Sequence, residues 1–465
     1  MRVNDRLPNE LWLEVLQALP RADLRSVAAS NRKLLRLARS LLFRHVSLRF
    51  CNPTPGYNRR GLVSHIPDPH SLAKIELFTA PEIAGCMRSA SLSCIRLEHH
   101  QRHRPVRRIA ESDGQTCGHF MALFLELSDH FVNLRRLNLY RLALDAPAYH
   151  AITRLPSLKQ LVIHWANLYG GDEVPTEKLA ITCFGYYGDQ TLDAHLRLID
   201  TSQLHTVYIG NEFYTFKLGG LAGLGCLKCL AINSDALDND LGEHDLSQLT
   251  PDTFPCLQAF SGPLDIALPF IDCCQLERLF IDEILDTSLR DLCAIPPDKA
   301  ARITTLGLSH ILLDHDVLSQ VVTALPRLAF LAINACGYDD ELHESGPHPF
   351  RDLIEQLLAT IAPPTLAELH VSIAFNYPIA STRDIFVHPA PSRAGLLATA
   401  VARCPLLRAI YIVHEGSFND QTDFALSWER YPSGAEERHM TDDIDAAKKI
   451  RKWMLPHRIE DMWGF

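Results

Sequence analysis

The chain has 465 residues, with 45 Lys and Arg against 55 Asp and Glu for a net charge of −10, and 47% of it is apolar. That much apolar material suffices for a large core and excludes wholesale disorder. The acidic balance excludes general nucleic-acid binding, which needs excess cations facing phosphates.

At about 150 residues per domain the length fits roughly three domains or one long repeat array. No run reaches the ~18 apolar residues of a membrane-spanning helix, so no membrane contact is expected. The polar opening, MRVNDRLPNE, predicts no secretion signal. Thirteen cysteines form an odd set in a long chain. Reduced, mostly buried thiols and a cytoplasmic or nuclear location are therefore expected.

The first elements are three short helices. In residues 7–19, Leu11, Val15 and Leu19 recur every four residues with Trp12 and Leu16 beside them, giving one broad apolar face. Pro8 suits the first turn, Glu10 the positive end of the dipole, and Pro20 ends the helix. Asp23 is placed to cap a second helix from Leu24 to about Ala29. Ser30 or Asn31 is placed to cap a third, with Leu34, Leu35, Leu37, Ala38, Leu41 and Leu42 on its apolar side. So small a unit makes a marginal core. It also carries more large apolar residues than it can hide, so the surplus is expected to face another protein or the rest of the chain.

The ordered run Leu7-Pro8, Glu10-Leu11, Val15-Leu16, Leu19-Pro20, Asp23-Leu24, Val27, Ser30, Arg32 and Leu37-Ala38 resembles an F-box. Residues 41–48 are similar to the segment that often follows it in fungal members. The likeness covers roughly residues 5–48 and departs from the usual pattern at Trp12 and at Ala28-Ala29. The resemblance implies docking on the Skp-family adaptor of an SCF-type ubiquitin ligase, and through it on a cullin. Carried over by motif, the adaptor-facing residues are Leu7, Pro8, Leu11, Val15, Leu16, Leu19, Leu24 and Val27. The alternative is that residues 7–42 form an ordinary helical cap on the downstream domain.

Residues 51–69, rich in Pro, Gly and Asn, read as a loop. The Arg/His cluster within residues 98–118 reads as a solvated loop, with an anion-binding or nuclear-localisation patch as the alternative.

A phrase of the form L-x-x-L-x-L then recurs: 134-137-139, 158-161-163, 204-207-209, 227-230-232, 276-279-281, 303-306-308, 328-331-333, 366-369-371 and 407-410-412. Weaker copies fall at 43-46-48 and 87-90-92, Leu179 and Ile181 mark another, and Leu257-Phe260 is a truncated one. Before several copies stands a proline (Pro156, Pro255, Pro326, Pro405), which forces the preceding residue out of helical geometry and starts the extended segment. Amphipathic stretches such as Val317–Leu325 and Leu353–Ile361 supply helices. One strand and one helix per unit resembles a leucine-rich repeat, whose units cover their apolar faces by stacking. A globular βα-alternating parallel sheet is the alternative. Only Cys336 occupies the Asn/Cys position of the family. The gaps at 334–350 and 374–393 read as loops.

Strand alternation assigns the other face. It selects Tyr140, His164, Tyr208, Phe280, Phe330, His370 and Tyr411 as candidates for binding an unknown protein substrate, because aromatics on an open sheet face are typical of binding hot spots. The alternative is that loops or the tail cover them. Residues 415–465 hold Trp428, Trp453 and Trp463 and a helical pattern after Thr441, and read as a terminal cap or a tail folded back.

No catalytic or metal signature stands out. Cys226-x-x-Cys229 has half of a zinc spacing, but on a strand these side chains face opposite sides. Gly219–Gly225 lacks the Lys-Ser/Thr of a phosphate loop. Neither G-x-S-x-G nor H-E-x-x-H occurs. The expected fold is thus α/β: a short N-terminal three-helix F-box (1–50), a linker and first helical segment (51–86), an irregular leucine-rich-repeat-like βα solenoid (87–414) and a C-terminal cap (415–465). The expected function is that of a non-catalytic substrate-recognition subunit, with no cofactor and no metal. The rival is a repeat scaffold without a ubiquitin role.

Overall fold

The computed structural model describes residues 8–49, 51–53, 65–67, 70–93, most of 123–164, 177–188, 192–210, most of 221–232, 249–281, 289–311, 315–337, most of 354–375, 393–415, 422–430 and 437–440. The chain divides into two compact units, Met1–Phe216 and Lys217–Phe465.

The first unit opens with α1 (Asn9–Gln17), α2 (Arg21–Ser30) and α3 (Arg32–Leu42). Pro8 and Pro20 occupy the N-cap positions of α1 and α2, and Asp23 lies within the first turn of α2 instead of capping it. Both prolines are extended, which sets the chain entering each helix at no cost in lost N–H bonds. Asn31 caps α3, its side chain accepting from the Lys33 amide at 2.7 Å. Leu16, Leu24, Ala28 and Ala38 form the centre of this helical cluster, flanked by Leu19, Val27, Leu35, Leu37, Leu41 and Leu42.

Strands β1 (His45–Arg49), β4 (Ser89–Ser93), β5 (Arg136–Tyr140), β6 (Gln160–His164), β7 (Cys183–Tyr187) and β8 (Thr206–Gly210) follow. Each pairs in parallel with the next along the chain. Between β1 and β4 lie the short antiparallel strands β2 (Cys51–Pro53) and β3 (His65–Pro67), so the segment expected to be a loop has paired ends. They are followed by α4 (Ser71–Thr79) and α5 (Pro81–Ala84).

In the second unit β9 (Cys229–Ile232), β10 (Ala259–Gly262), β11 (Arg278–Ile281), β12 (Thr305–Ile311), β13 (Phe330–Gly337), β14 (Glu368–Phe375) and β15 (Ala409–Glu415) are again parallel and sequential. Strand order that never reverses is the order of stacked repeats. A doubly wound sheet, one form of the globular βα-alternating alternative, reverses at a switch point. β13 and β14 run on through Gly337 and Phe375, into stretches expected to be loop. The ladder ends differently: β16 (Thr422–Arg430) turns back antiparallel on β15, and β17 (Glu437–Met440) pairs antiparallel with β16. Trp428 on β16 is fully buried. The expected helix after Thr441, Trp453 and Trp463, and the 98–118 cluster lie outside the described residues.

The repeated phrase is the core. Every residue of every full copy is buried, from Leu134, Leu137 and Leu139 to Leu407, Ile410 and Ile412. The prolines act as expected: at each, the following leucine amide closes a turn onto the residue before the proline, as in Leu158 to Leu155 at 3.3 Å and Leu407 to Cys404 at 3.0 Å. Helices His315–Ala324 and Arg393–Arg403 stop just before theirs. One copy lies away from its expected place. The inward set near residue 180 is Ile181, Phe184 and Tyr186, with β7 beginning at Cys183. Aromatic residues there take the aliphatic positions, in register with Leu161 and Ile163.

Candidate docking surfaces

On the N-terminal helices the motif-derived residues part into two groups. Leu16 and Leu24 are buried in the intrachain cluster, with Leu19 and Val27 half-buried against it. Leu16 and Leu24 therefore hold the helices together, a correction to their assignment as facing a partner. Pro8 is exposed, and α1 presents Leu11 and Val15, 44% and 50% exposed. Their spacing of four puts them one turn apart on one face. Leu7 lies outside the described residues.

The sheet-face candidates also divide. In the first unit Tyr140, His164 and Tyr187 share one cross-strand row. Tyr140 stacks on His164 at 4.2 Å between centroids, and His164 on Tyr187 at 4.3 Å, with planes within 12° and 8° of parallel. The row ends on Gly210, where a Cβ would lie 2.0 Å from the Tyr187 ring. Tyr140 and His164 are half-buried. Tyr208, in the adjoining row, is buried.

In the second unit Phe280 is half-buried and lies over Gly307, where a Cβ would come within 2.2 Å of its ring. Phe330, His370 and Tyr411 are buried. The His370 ring sits 5.0 Å from that of Phe330 and 4.6 Å from that of Tyr411. Its Nε2 lies 2.7 Å from a Glu368 carboxylate oxygen. The Tyr411 hydroxyl donates to Glu429 on β16. The expectation of an open aromatic face is thus corrected for Tyr208, Phe330, His370 and Tyr411. Strands stand only about 4.8 Å apart, so a large side chain covers its neighbours in the row.

A groove absent from the sequence reading opens in the first unit. It has a volume of about 570 Å³ and is lined by Arg21 and Arg25 of α2, by Leu42 and Phe43, by His45, Val46 and Ser47 of β1, by Leu77 and Phe78 of α4, and by Ser89 and Ser91 of β4. The Phe43 and Phe78 rings meet edge to face at 6.1 Å. Next along the sheet, Arg136 donates to Asn138, whose amide donates to Ser91 at 3.3 Å.

The surroundings are cationic. Residues 21–49 hold Arg21, Arg25, Arg32, Lys33, Arg36, Arg39, Arg44 and Arg49 against the single acid Asp23, in a chain of net charge −10. The residues just before β1, β4, β5 and β6 are Arg44, Arg88, Arg135 and Lys159, and each of these carbonyls accepts two amides of the next repeat. The backbone thereby sets four basic residues in one row at the N-terminal ends of these strands. His45 is held below its ordinary pKa, first by burial and then by Arg44, Arg136, Arg21 and Arg88. No ion pair joins Arg21, Arg25, Arg44 or Arg88 to a carboxylate among the described residues. The available signal was the charge imbalance within residues 21–49, which a whole-chain net charge conceals.

Cys226 is exposed and Cys229 buried, so the two do not share a face, and no cluster of metal-ligating side chains occurs among the described residues. Nine cysteines among the described residues are free thiols. Among the described residues no helix is long and apolar enough to cross a membrane.

No family model and no curated protein matches the chain. Among solved structures, it is similar to a chain in the Toll–Spatzle complex of Drosophila, with a TM-score of 0.24 and 10% identity, over 81% of this chain and 52% of that one. This chain therefore spans about half the length of the solved chain it matches.

Proposed function

We propose that this protein is a substrate-recognition subunit of an SCF-type ubiquitin ligase. The N-terminal helices dock on the Skp-family adaptor, and through it on a cullin, while the stacked repeats hold a target protein. The chain itself performs no bond chemistry in this reading. It raises the effective concentration of target lysines near the ubiquitin-loaded enzyme.

The observation that carries the reading is the split on α1. Leu16 faces the intrachain cluster, whereas Leu11 and Val15 stay exposed although the helices have finished their own core. Capture of the purified full chain by immobilised Skp-family adaptor tests it. Capture is expected from wild type and lost with Leu11→Ser/Val15→Ser; equal recovery of both sinks the reading.

A second reading, a repeat scaffold capped by its N-terminal helices and without a ubiquitin role, is favoured by one fact. The helices belong to the same compact unit as the first repeats. It predicts that deleting residues 1–42 lowers the stability of the remaining chain and that no adaptor is captured.

A further inference from the structure

The groove bounded by α2, the end of α3, α4 and the first two strands of the parallel sheet has two chemically different sides. Arg21 and Arg25 stand on α2. Ser47, Ser89 and Ser91 supply hydroxyls from the sheet. Leu42, Phe43, Leu77 and Phe78 supply the apolar side. Of these, Leu77 is 48% exposed, so apolar surface remains uncovered.

Arg21 spends one weak bond, at 3.4 Å, on the Leu42 carbonyl. A guanidinium has five N–H donors in a fork that matches a carboxylate. Arg44 and Arg88 add positive potential from the row at the strand starts. A concave site focuses such potential. The volume suits a few side chains, not a long polyanion.

We propose that this groove receives an acidic amphipathic segment of a partner protein, its carboxylates paired with Arg21 and Arg25 and its apolar side chains set against Phe43, Leu77 and Phe78. Nucleic acid fits less well, because it offers no aliphatic side chains to the apolar side. Naming that segment as part of a ligase target rests on the function proposed above; the binding itself does not.

The test uses the full chain and fluorescence anisotropy. The probe is a labelled pool of short peptides in which Asp or Glu alternates with Leu or Phe. Matched pools carry Asn and Gln for the acids, or Ser for the apolar residues; further arms are a phosphoserine peptide without Asp or Glu and a short DNA duplex. The acidic amphipathic pool is expected to bind tightest. Arg21→Gln/Arg25→Gln, both at exposed positions, is expected to weaken it about tenfold, roughly the worth of two exposed ion pairs. Leu77→Ser, which leaves every charge in place, is expected to weaken it as well.

Equal binding of the acidic and amide pools overturns the proposal. So does wild-type binding by both variants, or tighter binding of the phosphoserine peptide or the duplex. Adaptor capture measured in parallel separates the two readings. Capture without peptide binding removes the groove proposal alone, and peptide binding without capture removes the ligase reading alone.

Discussion

Tyr187 lies over Gly210 on the neighbouring strand, so close that a Cβ at 210 would stand 2.0 Å from the ring. The ring cannot retreat freely, because its other side is stacked on His164 at 4.3 Å. Gly210→Ala should therefore break the Tyr140–His164–Tyr187 row and cost about 1–3 kcal/mol, the range for overpacking a filled site. Urea denaturation of the full chain, with near-ultraviolet circular dichroism to follow the tyrosines, checks this. A change in stability within error, with an unaltered aromatic signal, would show that the row can shift as a body.

The two kinds of leucine on the N-terminal helices should behave oppositely. Leu16→Ala and Leu24→Ala remove buried cluster residues and should each cost about 2–5 kcal/mol. Leu11→Ser and Val15→Ser alter exposed positions and should move stability by no more than about 0.5 kcal/mol. Thermal melts beside adaptor capture separate them. Loss of capture without loss of melting temperature is expected only from the second pair. If that pair destabilises the chain as much as the first, the exposed face belongs to an intramolecular contact.

His195 gives the first unit a dependence on pH. It is 0% exposed, its Nδ1 pairs with the Tyr149 hydroxyl at 3.0 Å, and burial pushes its pKa down from 6.5 to about 4. The folded state therefore favours the neutral ring. Its contribution is fully present above pH 6.5 and is lost as pH falls toward 4, a total of about 3 kcal/mol. His45 is shifted in the same direction, so the informative quantity is a difference. Stability against pH should fall less steeply in His195→Leu than in wild type over that window. Parallel curves would mean that another group sets the acid limit.

The repeat core was legible because the inward positions of the full copies are aliphatic and recur at one fixed spacing. Leu328, Leu331 and Ile333 announce a strand without help from their neighbours. The copy marked by Leu179 and Ile181 was misplaced, its inward set being Ile181, Phe184 and Tyr186, because aromatic residues break the aliphatic phrase while filling the same row. The covering of Tyr208 and His370 was not legible at all. It depends on what stands beside them across the sheet, which alternation along one strand does not report. The groove was hidden for a related reason. Arg88 and Arg136 are far from His45 in sequence, and the register of β1, β4 and β5 brings them beside Arg44 and His45, with Arg21 added from α2.

The end of the second unit invites a last test. A stack of parallel strands leaves its final strand open, and an open edge exposes both a row of unpaired backbone groups and the last repeat's apolar face. Here β16 covers β15 with an antiparallel ladder from Ala409–Glu429 to Glu415–Thr422. Its Trp428, fully buried and paired in register with Ile410, fills the space beside the last repeat, and the Arg430 guanidinium lies 5.2 Å from the ring. Trp428→Ala should cost about 3–5 kcal/mol, and truncation after residue 415 should cost more, since it also uncovers the β15 edge. Hydrogen exchange of the β15 amides reads the effect locally. Faster exchange there in both variants, spreading toward β14 in the truncation, is expected of a capped stack; unchanged protection of Ile410 and Ile412 would show that β15 needs no cover.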